Sequence, residues 1–174
     1  MASIRFLTAS HVLRMHYTHI FPLPLNVEAE KRTASRRVEN PLLQPSYLES
    51  ALASPHNHHH YAGTTNLYRL AALVAEKIAL DHPFYDGNKR TALFSADMFL
   101  RINSSGGIRV RHNTPTNCPQ LLNDTTPALD GQSLPKLSSK EQALADAMVD
   151  IATRKINSDE LCHLIKKIEH ISGA

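Results

Sequence analysis

The sequence predicts an all-α fold, a bundle of five or six helices in one domain spanning residues 1–174. Apolar residues recur at spacings of three and four along two long segments, which is typical of amphipathic helices. Capping residues or prolines stand at the expected ends of the others, and almost no segment alternates apolar and polar residues as a strand would. Because 42% of the residues are hydrophobic, the chain can bury a core of its own.

Residues 1–63 predict two helices separated by a polar connection. The first begins near Thr8 or Ser10 and runs towards the "FPLPLN" stretch, whose prolines lack amide donors. Residues 22–45 then form the connection. A short helix is expected over residues 45–55, bounded by a proline at each end, and the "HNHHHYAG" stretch (56–63) is expected to be irregular or extended.

Residues 64–174 predict four helices and one long excursion. The first starts near Thr64 or Thr65 and ends near Asp81, and the next ends near Asn103 and is apolar on more than one side, which places it at the centre of the bundle. Residues 104–137 contain four prolines and an "SSGG" run, so we expect a loop insertion. Two further helices follow, over residues 138–155 and 157–170.

Composition excludes several classes of protein. The net charge of +3 is too small to argue for nucleic-acid binding, and no apolar run is long enough to span a membrane. Polar residues interrupt the N-terminal stretch, so it does not resemble a signal peptide. Cys118 and Cys162 show no CxxC spacing and suit reduced thiols. We therefore expect a cytoplasmic protein without a membrane or nucleic-acid partner.

The stretch "HPFYDGNKRT" (82–91) combines groups suited to phosphate chemistry between two predicted helices. The second of these helices begins near Asn88, and its free amides carry partial positive charge that attracts anions. Gly87 permits unusual backbone angles and close approach of a ligand. Lys89 and Arg90 supply a mobile cation and a planar fork for phosphate oxygens.

The remaining side chains of the stretch add a base, a metal ligand and an anchor. His82 can act as a general base near neutral pH. Asp86 would repel a bare phosphate but suits a Mg²⁺ ion that bridges to it. Phe84 is expected to pack inward. Together these residues predict transfer of a group from a nucleotide to a hydroxyl group. The alternative is a polar turn between two helices that has no catalytic role.

This stretch resembles the signature of the Fic/Doc (Fido) superfamily, broadly HxFx[DN][AG]N[GK]R, and its "NKRTA" ending is similar to the death-on-curing (Doc) branch. The segments "FLTASHVLRMH", "PSYLESALASP" and "YRLAALVAEKIALDHPF" resemble the family's flanking helices. The likeness extends over residues 5–103. It implies a Fido-type helical bundle with a short extended flap before the helix that leads into the motif.

The resemblance also implies a role for each motif residue. His82 would deprotonate a hydroxyl of a protein target, Asp86 would hold Mg²⁺, and Phe84 would anchor the loop. The phosphates of ATP would bind the residues that follow, namely Gly87, Asn88, Lys89 and Arg90. The flap that aligns the target would correspond to residues 56–63, with the side chains of His58, His59, His60 and Tyr61. Doc proteins are inhibited by a small antitoxin partner, so a partner of that kind is expected.

Two positions favour one branch of the superfamily. Fic proteins that transfer AMP favour glycine where this chain has Lys89, and they carry a second arginine where it has Leu93. Both differences favour Doc-like phosphorylation; AMP transfer and a nucleotide-binding, toxin-like regulator with weak catalysis remain as alternatives. The "SRRVEN" stretch (Ser35–Asn40) matches the Fic inhibitory pattern [ST]xxxE[GN], which we interpret as a chance match because Leu93 removes its partner. The "HNHHH" run (56–60) is interpreted as solvated rather than as a metal site.

Overall fold

Every named element is helical in the residues that the structure describes, which are residues 3–20, 42–103 and 139–171 of a computed structural model. The all-α prediction is confirmed. The Ser35–Asn40 stretch and the excursion at 104–137 lie outside the described residues. In chain order the elements are α1 (Ala9–Met15), a π-helical segment (His16–Ile20), α2 (Pro45–Ala62), α3 (Leu67–Asp81), α4 (Asn88–Asn103), α5 (Ser139–Ala152) and α6 (Ser158–Ile171).

Helices α3 and α4 form the centre of the bundle. Helix α3 packs against α2, α4, α5 and α6, and it does so with the apolar face that its sequence period predicts. Helix α4 has no solvent-facing side in its second and third turns, since all residues from 91 to 97 are buried. The central position predicted for α4 is therefore confirmed. The loop 82–87, which joins these two helices, is held between the two best-packed elements of the fold.

Helix α1 begins at the predicted cap, and the residues before it are hydrogen-bonded to the C-terminal end of α4. The Thr8 side chain accepts a hydrogen bond from the His11 backbone N–H, at 3.4 Å, and the Thr8 N–H donates to His11 Nδ1, at 3.2 Å. Upstream, the Arg5 N–H donates to Asn103 Oδ1 (2.7 Å) and the Arg5 carbonyl accepts from Asn103 Nδ2 (2.8 Å). From His16 the helix widens into a π-helical turn, a feature that is frequent at functional sites.

Helix α2 is longer than the sequence predicts. It continues through Pro55 to Ala62, so the prediction of an irregular or extended segment over residues 56–63 is wrong. Gly63 provides the actual stop, because it adopts a left-handed conformation (φ 63°) and its N–H caps the His58 carbonyl. Pro55 is buried within the helix, and the packing of its neighbours outweighs the one backbone hydrogen bond that it removes.

The last helix has the predicted cap and is attached to α3 by polar contacts. Asn157 Oδ1 accepts from the N–H groups of Asp159 and Glu160 at 2.9 and 3.1 Å, and Glu160 accepts from the Asn157 N–H at 2.9 Å. Glu76 of α3 accepts from the Ser158 N–H at 3.2 Å, and Arg69 forms an ion pair with Asp159. Across the described ranges, the helices are all too short or too polar to cross a membrane.

Candidate active site

The motif loop leaves α3 through a strained residue. His82 follows the last turn of α3 with φ 46° and ψ 55°, in the left-handed region. A residue with a Cβ adopts this conformation at a cost of about 1–2 kcal/mol, and such strain concentrates at functional sites. The His82 side chain is exposed to solvent. The residue predicted as the general base therefore lies at an accessible corner where the backbone reverses direction.

Asn88 closes the loop with both polar atoms of its side chain. Its Oδ1 accepts from the Phe84 N–H at 2.9 Å, and its Nδ2 donates to the Phe84 carbonyl at 2.8 Å. Both residues are buried, so these bonds satisfy two backbone groups that water cannot reach. The side chain of Asn88 thus closes the loop, and its backbone N–H at the start of α4 is a donor that an anion could use.

Asp86 and Gly87 form the exposed turn of the loop. The Gly87 N–H donates to Asp86 Oδ1 at 2.6 Å, so this amide is engaged within the loop by the preceding carboxylate. Gly87 has φ 75°, and a Cβ on it would lie 2.6 Å from Ile20 Cγ2 and 3.8 Å from an Arg90 guanidinium nitrogen. The glycine is therefore required by its conformation and by the close packing of the π-helical segment.

The cations and the acid of the motif lie around the start of α4. Lys89 and Arg90 occupy its first turn and are partly exposed, and Asp86 precedes them on the exposed turn. Within residues 3–20, 42–103 and 139–171, no three histidine, cysteine or acidic side chains are grouped to hold a metal ion. Asp86 is the acidic side chain of the loop that could hold a Mg²⁺ ion.

His16 is a part of this site that the sequence interpretation missed. Its side chain is 1% exposed, and its ring stacks on the ring of Phe84, with centroids 4.1 Å apart and planes 9° from parallel. Its Nδ1 lies 2.8 Å from the Thr91 hydroxyl. Burial, and secondarily the Arg90 charge, lower the pKa of His16 from 6.5 to about 4, while Asp86 acts in the opposite direction.

One sequence signal could have identified His16. It lies four residues after Val12 and one after Met15, both of which are buried in the core, so it continues the inward face of the first helix. A histidine on an apolar face is commonly a satisfied core residue. Which motif side chains it meets depends on tertiary packing between segments that are far apart in the sequence.

An extended segment does accompany the loop, but it is not the predicted one. Leu42 forms an isolated antiparallel bridge with Phe84, and the Leu43 N–H donates to the Pro83 carbonyl at 2.8 Å. Leu43 is 51% exposed. Residues 42–44 directly precede α2, whereas the histidine run occupies the opposite end of that helix.

The histidine run is associated with the far end of α4. His56 and His59 contact the Phe6 ring, at centroid distances of 5.0 and 5.7 Å, and Phe6 in turn contacts Phe99 at 6.0 Å. Phe99 lies 11 residues beyond Asn88, which corresponds to about 16 Å along a helix. His58, His60 and Tyr61 are exposed on the same two turns. The residues predicted to form an extended flap thus lie at the end of a helix, and this end is remote from the motif.

Comparison with known proteins identifies the family. A family model described as the Fic/DOC family matches residues 6–100, more than half of the chain, from the N-terminal segment to the last turns of α4. The chain belongs to the Fic/Doc family. Its members are typically transferases that move a nucleotide-derived group to proteins. The search of curated proteins returned no match. The superfamily predicted from "HPFYDGNKRT" is confirmed, and the matched residues include the loop described above.

Proposed function

We propose that this Fic/Doc protein transfers the γ-phosphoryl group of Mg²⁺-bound ATP to a Ser, Thr or Tyr hydroxyl of a protein target. The observation that carries the proposal is the loop 82–90, in which a solvent-exposed histidine and the N-terminal turn of α4 flank one short, clamped turn. Phosphoryl transfer requires mainly positioning and charge stabilisation, and this loop offers both.

Each residue of the loop has a role in this proposal. His82 accepts the proton of the target hydroxyl as that oxygen attacks the γ-phosphorus, and the bond from the γ-phosphorus to the β,γ-bridging oxygen breaks to release ADP. Lys89 and Arg90 offset the charge of the phosphates, helped by the Asn88 N–H and the dipole of α4. Asp86 would be the protein ligand of Mg²⁺, which supplies charge stabilisation to the phosphates when bound. Phe84 keeps the turn in place through its buried ring.

Leu93 and Lys89 support phosphorylation over AMP transfer. Leu93 is 4% exposed and belongs to the hydrophobic core, so it offers no cation to a γ-phosphate that would have to stay bound during AMP transfer. Lys89 fills the position where a glycine would leave room for an α-phosphate. AMP transfer is the second candidate, because it is the reaction of the Fic branch of the same superfamily; the pattern at Ser35–Asn40 adds no support to it, since Leu93 removes the partner that the pattern requires.

The extended residues 42–44 are the better candidate for aligning the target. They lie beside Pro83 and Phe84, adjacent to His82 in the chain. An extended target segment could pair with such an edge through backbone hydrogen bonds. An inhibitory partner that covers the same loop remains part of the proposal, since occupying this edge would exclude a target.

ATP labelled at the α or the γ phosphate distinguishes the candidates. The full-length protein is incubated with cell extract, Mg²⁺ and either nucleotide, and the label retained on protein is measured. Phosphorylation predicts transfer from the γ position alone, whereas AMP transfer predicts transfer from the α position alone. Transfer of neither label would refute both and leave a regulator that binds nucleotide.

Two variants refine the same experiment. His82→Ala should abolish transfer, whereas His58→Ala, which removes another exposed histidine at the remote end of α2, should not. Lys89→Gly should raise the share of α-label transferred, because it removes the side chain that crowds the α-phosphate. Transfer by His82→Ala at the parental rate would overturn the assignment of the base.

A further inference from the structure

His16 is joined to the motif loop by a chain of hydrogen bonds. Its Nδ1 lies 2.8 Å from Thr91 Oγ1, and Thr91 Oγ1 lies 2.8 Å from the Gly87 carbonyl oxygen. Thr91 is fully buried, so these bonds are made without competition from bulk water. The Gly87 carbonyl also accepts from the Thr91 backbone N–H at 2.8 Å.

These distances favour one arrangement of the protons. A carbonyl oxygen carries no proton, so the single proton of the Thr91 hydroxyl must lie between it and Gly87. If that proton pointed to His16 instead, two oxygen acceptors would face each other at 2.8 Å in a buried site, which is unfavourable. With the Thr91 proton directed to Gly87, the hydroxyl oxygen is left to accept, and His16 Nδ1 is the donor that meets it. This arrangement corresponds to the Nδ1–H tautomer of His16.

The last hydrogen bond of this series, which is accepted by the Gly87 carbonyl, determines where the first amide N–H of α4 points. In a trans peptide, the carbonyl of one residue and the N–H of the next point in opposite directions. Two donors from Thr91 hold the Gly87 carbonyl towards the helix, so the Asn88 N–H is directed the other way, out of the helix N-terminus. The Asn88 N–H is one of the first-turn amides of α4 that have no acceptor within the helix, whereas the Gly87 N–H is bonded to Asp86.

Packing restrains the same loop from a second direction. The His16 ring lies flat against Phe84, and the Ile20 side chain of the same π-helical segment occupies the space beside Gly87. The lowered pKa of His16 keeps its imidazole neutral near neutral pH, so its ring adds no charge to the site and still has one N–H to donate.

We propose that His16 is a positioning residue of the phosphate site, which fixes the Gly87–Asn88 peptide through the Thr91 hydroxyl as a neutral Nδ1–H imidazole. The part of this inference that concerns a phosphate rests on the proposed function. The hydrogen-bond chain itself does not, and its test is independent of any nucleotide.

The tautomer is measured on the full-length, nitrogen-labelled protein. Long-range nitrogen–proton correlation spectra at pH 7 distinguish Nδ1–H, Nε2–H and imidazolium forms. The Nδ1–H pattern is expected for His16, with assignment from the spectrum of His16→Phe. An Nε2–H pattern or an imidazolium would overturn the inference, whatever the protein does with ATP.

Variants then test the consequence for binding of Mg²⁺–ATP by titration calorimetry. His16→Phe keeps a ring against Phe84 but removes the donor, and Thr91→Val removes the hydroxyl at nearly constant volume. Each should weaken affinity about 2- to 10-fold, which corresponds to one hydrogen bond. The double variant should bind Mg²⁺–ATP no more weakly than either single variant, because both substitutions break the same series of hydrogen bonds. Thr91→Ser should restore most of the affinity.

Losses that add in the double variant, or equal losses in Thr91→Ser and Thr91→Val, would overturn the inference. Urea unfolding of each variant shows that the proteins compared are folded. A parent protein that binds no Mg²⁺–ATP would refute the proposed function instead, and the tautomer measurement would still decide whether the chain from His16 to Gly87 exists.

Discussion

Replacing Gly87 with alanine tests how tightly the motif loop packs on the N-terminal segment. At φ 75° the new residue incurs the left-handed penalty of about 1–2 kcal/mol. Its Cβ would also lie 2.6 Å from Ile20 Cγ2, and Ile20 is 5% exposed and cannot move into solvent. Overpacking of this kind costs about 1–3 kcal/mol. The expected loss of unfolding free energy is therefore about 2–5 kcal/mol.

Gly63 provides the matched control. It has a similar φ of 63°, but no atom lies within 4 Å of the position of an added Cβ. Gly63→Ala should therefore lose only about 1–2 kcal/mol, the conformational part alone. The difference between the two variants isolates the packing term.

Urea unfolding followed by far-ultraviolet circular dichroism gives both values. Gly87→Ala should be the less stable of the two by about 1–3 kcal/mol, and shortening the neighbour with Ile20→Ala should reduce this difference. Equal losses in Gly87→Ala and Gly63→Ala would refute the conclusion that the loop is held against Ile20.

Three further predictions concern buried groups. The unfolded state binds a proton at His16 below pH 6.5, whereas the folded state does so only near pH 4; stability is therefore full above pH 6.5 and falls by up to about 3 kcal/mol towards pH 4. Urea unfolding at several pH values should show this slope, and it should shrink in His16→Phe. Asn88→Ala leaves the Phe84 N–H and carbonyl without their partner and should lose about 2–4 kcal/mol by the same method; a loss below about 1 kcal/mol would contradict the clamp. Burial raises the pKa of the Cys162 thiol, so alkylation at pH 7, followed by peptide mapping, should be much slower in the native than in the unfolded protein, and equal rates would contradict its burial.

The central helices and the motif could be predicted from the sequence because their signals are local. The spacing of apolar residues in α3, and their presence on several sides of α4, can be determined from neighbouring residues. The order of side chains from His82 to Arg90 directly limits the chemistry that the loop can support. The caps at Thr8 and Asn157 were predictable for the same reason, since a capping box spans only four residues.

The parts that failed depend on contacts between distant segments. Pro55 is a stop signal when considered alone, yet burial of its surroundings and the Gly63 cap carry α2 two turns further. The same long-range packing brings Leu42 beside Phe84 and places the histidine run elsewhere. His16 belongs to the site through stacking and a hydrogen bond across 75 residues of sequence, which no local pattern encodes.

The most direct test of the central claim identifies the group attached to a target hydroxyl. Proteins from a cell extract incubated with Mg²⁺–ATP and the parent protein are digested, and the modified side chains are identified by mass spectrometry. The proposed function predicts new phosphorylated Ser, Thr or Tyr residues that are absent when His82→Ala replaces the parent. New adenylylated residues instead would contradict phosphoryl transfer, and an unmodified extract, or identical modification by His82→Ala, would contradict the assignment of this loop as the catalytic site.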